Sequence, residues 1–178
     1  MPAWLVAIDM QHVFADPSSP WAAPRFREAL DGVQRLLPAF VGRTVLTRYV
    51  APSRPSGAWV PYFEQWPFAR VPEDDPLYDL VPELRDVAAP IESRPRFGKW
   101  DEAMAAAIGG ADEIVLAGVS TDCCVIATAI AAGDAGIRVR VAADACAGAS
   151  DADHQRALDA MALFAPLIEV TTVDALVQ

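Results

Sequence analysis

The sequence predicts a three-layer α/β/α fold built on a Rossmann-like, six-stranded and mainly parallel sheet. Three observations predict it. Short, almost wholly apolar runs recur along the chain, as strands covered on both faces require. Stretches with apolar residues at helical spacing separate these runs. No linker and no repeat of fixed period divides the chain, and its 178 residues suit one core, so residues 1–178 read as a single domain.

The first run, Ala3 to Ile8, stops at Asp9, the pattern of a central parallel strand. Pro24 opens a helical stretch to Leu37, with Phe26, Leu30, Val33 and Leu37 on one face. A second strand follows from Arg43 to Thr47. Between Val50 and Pro76 periodicity disappears while aromatics accumulate, among them Trp59, Tyr62, Phe63, Trp66 and Phe68. That much apolar surface argues against disorder, and a functional loop forming a pocket wall or a subunit contact is expected. A short helix over 77–84, a strand ending near Glu92–Ser93, the loop from Arg94 to Trp100 and a helix from Asp101 to Ile108 come next. The second half is more regular. Strands are expected over Glu113–Val119, Ile137–Ala143 and Leu167–Val170, with helices over Asp122–Ala132 and Asp151–Phe164 and a terminal stub after Thr171.

Composition narrows the function. Hydrophobic residues make up 53% and charged residues 21%, a globular balance. The net charge of −10, with no Lys/Arg cluster to offset it, disfavours nucleic acid and anionic membrane surfaces as partners. No signal peptide and no apolar run near the roughly 20 residues of a membrane span is evident. Three cysteines fit reduced thiols, and a cytoplasmic location is expected.

In an open parallel sheet, ligands bind beyond the carboxyl ends of the strands. Three places there could carry chemistry: Asp9, the Arg94–Lys99 loop, and Cys124 in Gly118-Val119-Ser120-Thr121-Asp122-Cys123-Cys124. Free N–H groups at a helix start favour a thiolate and can hold an oxyanion. Adjacent helical residues diverge by about 100°, so Cys123 and Cys124 are not expected to face one cleft together. Cys146 reads as structural. Asp9, if within reach of a thiol, could take its proton and later protonate a leaving amine. Of the two histidines, His154 reads as structural and His12 as a residue that could line the cleft. No G-x-G-x-x-G follows the first strand, no P-loop occurs, and no H-x-H, H-E-x-x-H or C-x-x-C pair offers a metal cage. Neither a cofactor nor a metal is expected.

The ordered set Ala7-Ile8-Asp9-Met10-Gln11, Gly118 to Val125, Ala127-Thr128-Ala129, Gly136, Asp144-Ala145 and the tail from His154 to Val173 resembles the isochorismatase-like cysteine hydrolases. This superfamily includes nicotinamidases, N-carbamoyl amidases and isochorismatases. The resemblance implies Asp9 as catalytic acid/base and Cys124 as nucleophile. It also implies an oxyanion hole from the Ser120 and Cys124 backbone N–H groups, with a cis Val119-Ser120 peptide. The family's lysine falls in a loop that often reads K-x-R-[YF]-[SG]-A-F. Here the loop reads Arg94-Pro95-Arg96-Phe97-Gly98-Lys99-Trp100, so Lys99 is assigned the role and Arg94 is the alternative cation. Metal-dependent nicotinamidases carry an Asp/His/His cluster after the second strand, and Thr47 to Pro52 has no histidine.

The expected activity is therefore metal-independent hydrolysis of a small amide or carbamoyl C–N bond through a thioester. Gln11, Phe14, Trp59 and Trp66 are expected around the substrate, with Tyr62 and Trp21 as further candidates for an aromatic wall. The alternatives are an isochorismatase-type vinyl-ether hydrolase and a catalytically silent binding scaffold of the same fold. A small-molecule substrate is the expected partner, and the resemblance and the apolar loop point to a homo-oligomer.

Overall fold

The computed structural model describes residues 2–178; Met1 lies outside the described residues. Six strands form one wholly parallel sheet in the order β3-β2-β1-β4-β5-β6. β1 (Trp4–Ile8) lies at the centre, and α1 (His12–Ala15) and α2 (Phe26–Leu36) lead to β2 (Thr44–Tyr49). α3 (Trp59–Gln65), β3 (Ile91–Arg94) and α4 (Glu102–Ala107) complete the first half. β4 (Glu113–Val119), α5 (Ile126–Asp134), β5 (Arg138–Ala147), α6 (Asp151–Ala162), β6 (Ile168–Thr171) and α7 (Val173–Leu176) form the second.

The two faces of the sheet follow from side-chain alternation. Leu5 and Ala7 of β1, with Val115, Ala117 and Val119 of β4, pack under α2 and the aromatic segment. Val6 and Ile8, with Ile114 and Leu116, pack on the other face against residues of α4, α5 and α6. Both faces of the central strands are thus covered by helices, which is why β1 and β4 read as unbroken apolar runs. No helix among the described residues is long and apolar enough to cross a membrane.

Several expected boundaries shift for local reasons. The aromatic stretch contains α3, in which Trp59 and Phe63 stack one turn apart; Pro61 is tolerated because first-turn N–H groups have no intrahelical acceptor. The expected helix over 77–84 is two 3₁₀ turns, Pro76–Tyr78 and Pro82–Leu84, since Pro82 cannot continue a helix through its own position. β2 runs on to Tyr49 and β5 to Ala147. The extension of β5 follows a register shift against β4 between Leu116 and Gly118, which places Cys146 opposite Gly118 inside the strand.

Gly118 sets the spacing of the two central strands at the carboxyl end of the sheet. Its φ is +116°, and a Cβ there would fall 2.1 Å from the Ile8 carbonyl oxygen. Only glycine lets β4 approach β1 this closely. Gly118→Ala should therefore destabilise the fold by roughly 2–5 kcal/mol, adding overpacking to left-handed backbone strain. Urea unfolding of the variant checks this, and a loss under 1 kcal/mol would mean that the strands separate easily.

Candidate active site

Asp9 ends β1 with φ +52°, a left-handed conformation that a non-glycine residue adopts only where its surroundings enforce it. Thr47, near the end of the neighbouring β2, helps enforce it. The Asp9 N–H donates to Thr47 Oγ1 (3.1 Å), and Thr47 Oγ1 donates to Asp9 Oδ1 (2.6 Å). The other oxygen, Oδ2, lies 2.8 Å from Lys99 Nζ, and both side chains are fully buried. That contact is an ion pair without directed hydrogen-bond geometry, and Oδ2 has no hydrogen-bond partner. Lys99 Nζ instead donates to the Arg96 carbonyl (2.9 Å) and lies 5.3 Å from the centre of the Tyr49 ring.

Lys99 is brought inward by a loop that is tied down on both sides. Arg94 makes a bidentate pair with Asp101 (2.8 and 3.1 Å) and bonds Glu92 (2.9 Å), while Arg96 also reaches Asp101 (2.6 Å). Asp101 in turn accepts from Met104 N–H (2.8 Å) as the N-cap of α4. Arg94 is thus a loop anchor and does not supply the cation at Asp9; its planar fork fits the carboxylates, whereas the compact ammonium fits the buried slot. Gly98 lets the loop lie against α5, where a Cβ would meet the Ala127 carbonyl oxygen at 3.4 Å.

The segment that carries Cys123 and Cys124 begins at the cis peptide between Val119 and Ser120. The chain then makes a π turn over Thr121–Val125 before α5 starts. Ser120 O accepts from Cys123 N–H and Val125 N–H, 3.1 Å each, on either side of the Cys124 amide. Thr128 couples this turn to the lysine loop: its Oγ1 donates to Cys124 O (2.6 Å) and accepts from Lys99 N–H (3.0 Å). Asp122 accepts from Ala149 N–H (2.9 Å), and Thr121 Oγ1 bonds His154 Nδ1 (2.8 Å), fixing the far side of the turn to the start of α6.

A cleft of about 490 Å³ opens over Cys124. It is bordered by Phe14, Trp21, Tyr49, Tyr62, Trp66 and Phe97, together with Ser120, Asp122 and both Cys123 and Cys124. The last point corrects the expectation from regular helical geometry that the two cysteines would not share a cleft: they lie on a π turn, not on a regular α-helix. Of the residues singled out in the sequence, Phe14, Trp21, Tyr62 and Trp66 border this cleft. Gln11, Trp59 and His12 do not border this cleft. Gln11 is fully buried and clamps the end of β2, accepting from Tyr49 N–H (2.7 Å) and donating to Tyr49 O and Tyr78 O (2.9 and 2.8 Å). Trp59 packs behind the cleft against Tyr62, Phe63 and Phe97, and His12 lies by a separate hollow near Arg27 and Glu83.

Burial pushes the Cys124 thiol well above its ordinary range, and the Asp9 carboxylate beside it pushes in the same direction. The Lys99 charge pulls it back down. The helix-start argument for a standing thiolate is therefore outweighed by loss of water around a fully enclosed sulfur. Burial also raises Cys123 to about 11 and Cys146 to about 12.

An isochorismatase domain model matches residues 3–174. The chain belongs to the isochorismatase family. Within it, an isochorismatase-like hydrolase from Alkaliphilus metalliredigens superposes with a TM-score of 0.82 at 23% identity, covering 98% of this chain and 97% of that one. A cysteine hydrolase from Pseudomonas syringae pv. phaseolicola gives 0.86 at 17% identity over 98% and 90%. N-carbamoylsarcosine amidase from Thermoplasma acidophilum gives 0.76 at 20% identity over 98% of both chains. Comparison with curated proteins gave no match. These likenesses establish a shared fold in an isochorismatase-like hydrolase domain.

Thr47 and Thr128 are the positioning residues that sequence reading missed. Thr47 ends the expected second strand and Thr128 sits in the Ala127-Thr128-Ala129 run, but neither position by itself reveals a bridging hydroxyl. Among the described residues, no group of three or more His, Cys, Asp or Glu side chains is arranged to hold a metal ion.

Removing Lys99 leaves Asp9 as an uncompensated buried charge, so Lys99→Met should cost about 3–5 kcal/mol of stability. The double variant Asp9→Asn/Lys99→Met should recover part of that loss, and chemical denaturation of both proteins is the check. Thr128→Val leaves the Lys99 amide unpaired and should cost about 1–3 kcal/mol on the same assay.

Proposed function

We propose that this hydrolase is a metal-independent cysteine amidohydrolase acting on a small amide or carbamoyl C–N bond. The observation that carries the reading is the Asp9 carboxylate. One of its oxygens is saturated by Thr47, and the other is charge-paired to Lys99 yet free of hydrogen bonds, beside a buried thiol in an apolar cleft.

Asp9 Oδ2 takes the proton from Cys124 Sγ as the sulfur attacks the substrate carbonyl carbon. Because burial keeps the thiol protonated at rest, transfer and attack are coupled, and the Lys99 ammonium stabilises the negative charge as it moves from carboxylate to sulfur. The oxygen of the tetrahedral intermediate rests on the Ser120 and Cys124 amides at the start of the helix. Collapse breaks the C–N bond, Asp9 returns its proton to the departing nitrogen, and a thioester remains on Cys124. Asp9 then removes a proton from water, which attacks the thioester; the acid leaves and the thiol regains its proton.

A screen of small amides and carbamoyl compounds tests the activity. On the best substrate, Cys124→Ala should lower kcat by about 10⁴-fold or more, and Cys123→Ala by far less. The opposite order would move the nucleophile to Cys123. Dialysis against EDTA should leave the rate unchanged, whereas recovery only with added zinc would replace the mechanism.

The two cations separate cleanly in rate. Lys99→Ala should lower kcat/KM by roughly 10- to 150-fold, the scale of one charge-assisted contact, and push the Cys124 thiol higher still. Arg94→Ala should do much less. If neither substitution changes the rate, a binding scaffold becomes the better reading.

A further inference from the structure

The charge around the cleft over Cys124 is one-sided. Its lining holds six aromatic side chains, a single charged one, Asp122, and no Lys, Arg or His. The nearby cations are committed elsewhere: Lys99 is fully buried on Asp9, and Arg94 and Arg96 are both engaged by Asp101. An anion entering the cleft would lose its water, gain no counter-charge and face Asp122. A cation would meet the opposite conditions.

Asp122 is set into the cleft wall by two other residues of the lining. Its Oδ1 accepts from Ala149 N–H (2.9 Å) and its Oδ2 from Cys123 Sγ (3.8 Å), and Ala149 and Cys123 both border the cleft. A carboxylate can accept about four hydrogen bonds, so this half-buried one retains capacity. Among the described residues no Lys or Arg forms an ion pair with it. Burial first, and the Arg25 charge second, hold the imidazole of His154 nearby below its ordinary pKa, so it brings no positive charge at neutral pH. The negative charge of Asp122 is thus left uncompensated beside an apolar cavity.

The aromatic part of the wall favours the same sign. Trp21 lies at its centre, stacked on Phe14 at 6.2 Å and meeting Tyr62 at 6.0 Å and Trp66 at 6.2 Å between centroids. Rings held by one another are ordered before a ligand arrives. Their π-systems carry negative faces that attract cations, most strongly those of Trp and Tyr, and a quaternary ammonium suits such a wall because it needs no hydrogen-bond acceptor. The net charge of −10 over the whole chain adds a field that draws cations toward the protein.

Resting on the amidohydrolase reading, we propose that the cleft takes amides whose acyl group carries a positive charge, with a quaternary ammonium as the best fit. The ring wall receives the cation, and Asp122 supplies its counter-charge. Asp122 is then a specificity residue for this site. It acts on the charged substituent, while Asp9 and Cys124 act on the amide.

Three amides of similar shape and different charge test this: (trimethylammonio)acetamide, its neutral isostere 3,3-dimethylbutanamide, and the anionic sulfoacetamide. Binding to Cys124→Ala is read by quenching of tryptophan fluorescence, and turnover by ammonia release from the wild-type protein. The cation should bind roughly 2- to 30-fold tighter than its neutral isostere, the scale of a cation over aromatic rings, and the sulfonate more weakly than either. In Cys124→Ala/Asp122→Asn the amide oxygen can still accept from Ala149 N–H. There the preference for the cation should drop roughly 2- to 5-fold, the worth of one part-exposed ion pair, with binding of the neutral amide unchanged. Cys124→Ala/Trp66→Leu should lower the preference through the rings instead of the carboxylate. Equal binding of the cation and its isostere, tighter binding of the sulfonate, or a preference that survives both substitutions overturns the inference. So does a loss in Asp122→Asn shared equally by cation and neutral amide, which marks a purely structural role. Cation-selective binding without hydrolysis of any amide in the wider screen keeps the selectivity and overturns the amidohydrolase reading instead.

Discussion

The site is organised around an ion pair that has been taken completely out of water. Lys99 and Asp9 meet at 2.8 Å with both side chains fully buried. Desolvating two charges costs several kcal/mol each, which mutual attraction repays only if the geometry is held and other polar atoms are satisfied. Much of the surrounding structure reads as that support. Thr47 fixes one Asp9 oxygen, the Arg96 carbonyl accepts a hydrogen bond from Lys99, and the Tyr49 ring lies near the ammonium. The Arg94–Asp101 pair and the Thr128 hydroxyl hold the loop and the cysteine turn in one frame. The fold accommodates strain for the same end, in the left-handed backbone of Asp9 and the close strand approach at Gly118.

In the proposed mechanism this arrangement changes how the thiol would be activated. A cysteine at an exposed helix start is expected to ionise readily, but the Cys124 sulfur is enclosed, and loss of water outweighs both the helix start and the Lys99 charge. In that mechanism one negative charge would pass from carboxylate to sulfur beside the Lys99 ammonium, so that the apolar cleft never holds two adjacent anions, whose repulsion there would be severe.

The aromatic segment divides into two roles that composition could not separate. Tyr62 and Trp66 face the cleft, as does Trp21 from the turn before α2, while Trp59 and Phe63 pack behind and beneath it. The same ring chemistry serves both, since a cleft wall and a core each need large rigid apolar surfaces. The acidic balance of the whole chain has its local counterpart in Asp122, the one charged side chain at the cleft.

The sequence by itself determined the order of strands and helices, because apolar runs and helical spacing are local properties of the chain. It also determined that Asp9, Lys99 and Cys124 lie at strand ends or in the loops that follow them, on the side where a parallel sheet binds ligands. Gln11 was legible as part of the opening D-x-Q motif, but its role as a clamp on β2 was not, since its partners lie 38 and 67 residues away. The sequence placed both Lys99 and Arg94 in the loop, but that Lys99 is the one buried against Asp9 while Arg94 pairs with Asp101 was visible only in the folded loop. The facing of Cys123 and the bridging threonines were likewise decided in three dimensions. Each depends on which atoms approach across the sheet, and such distances are set by packing between elements far apart in sequence.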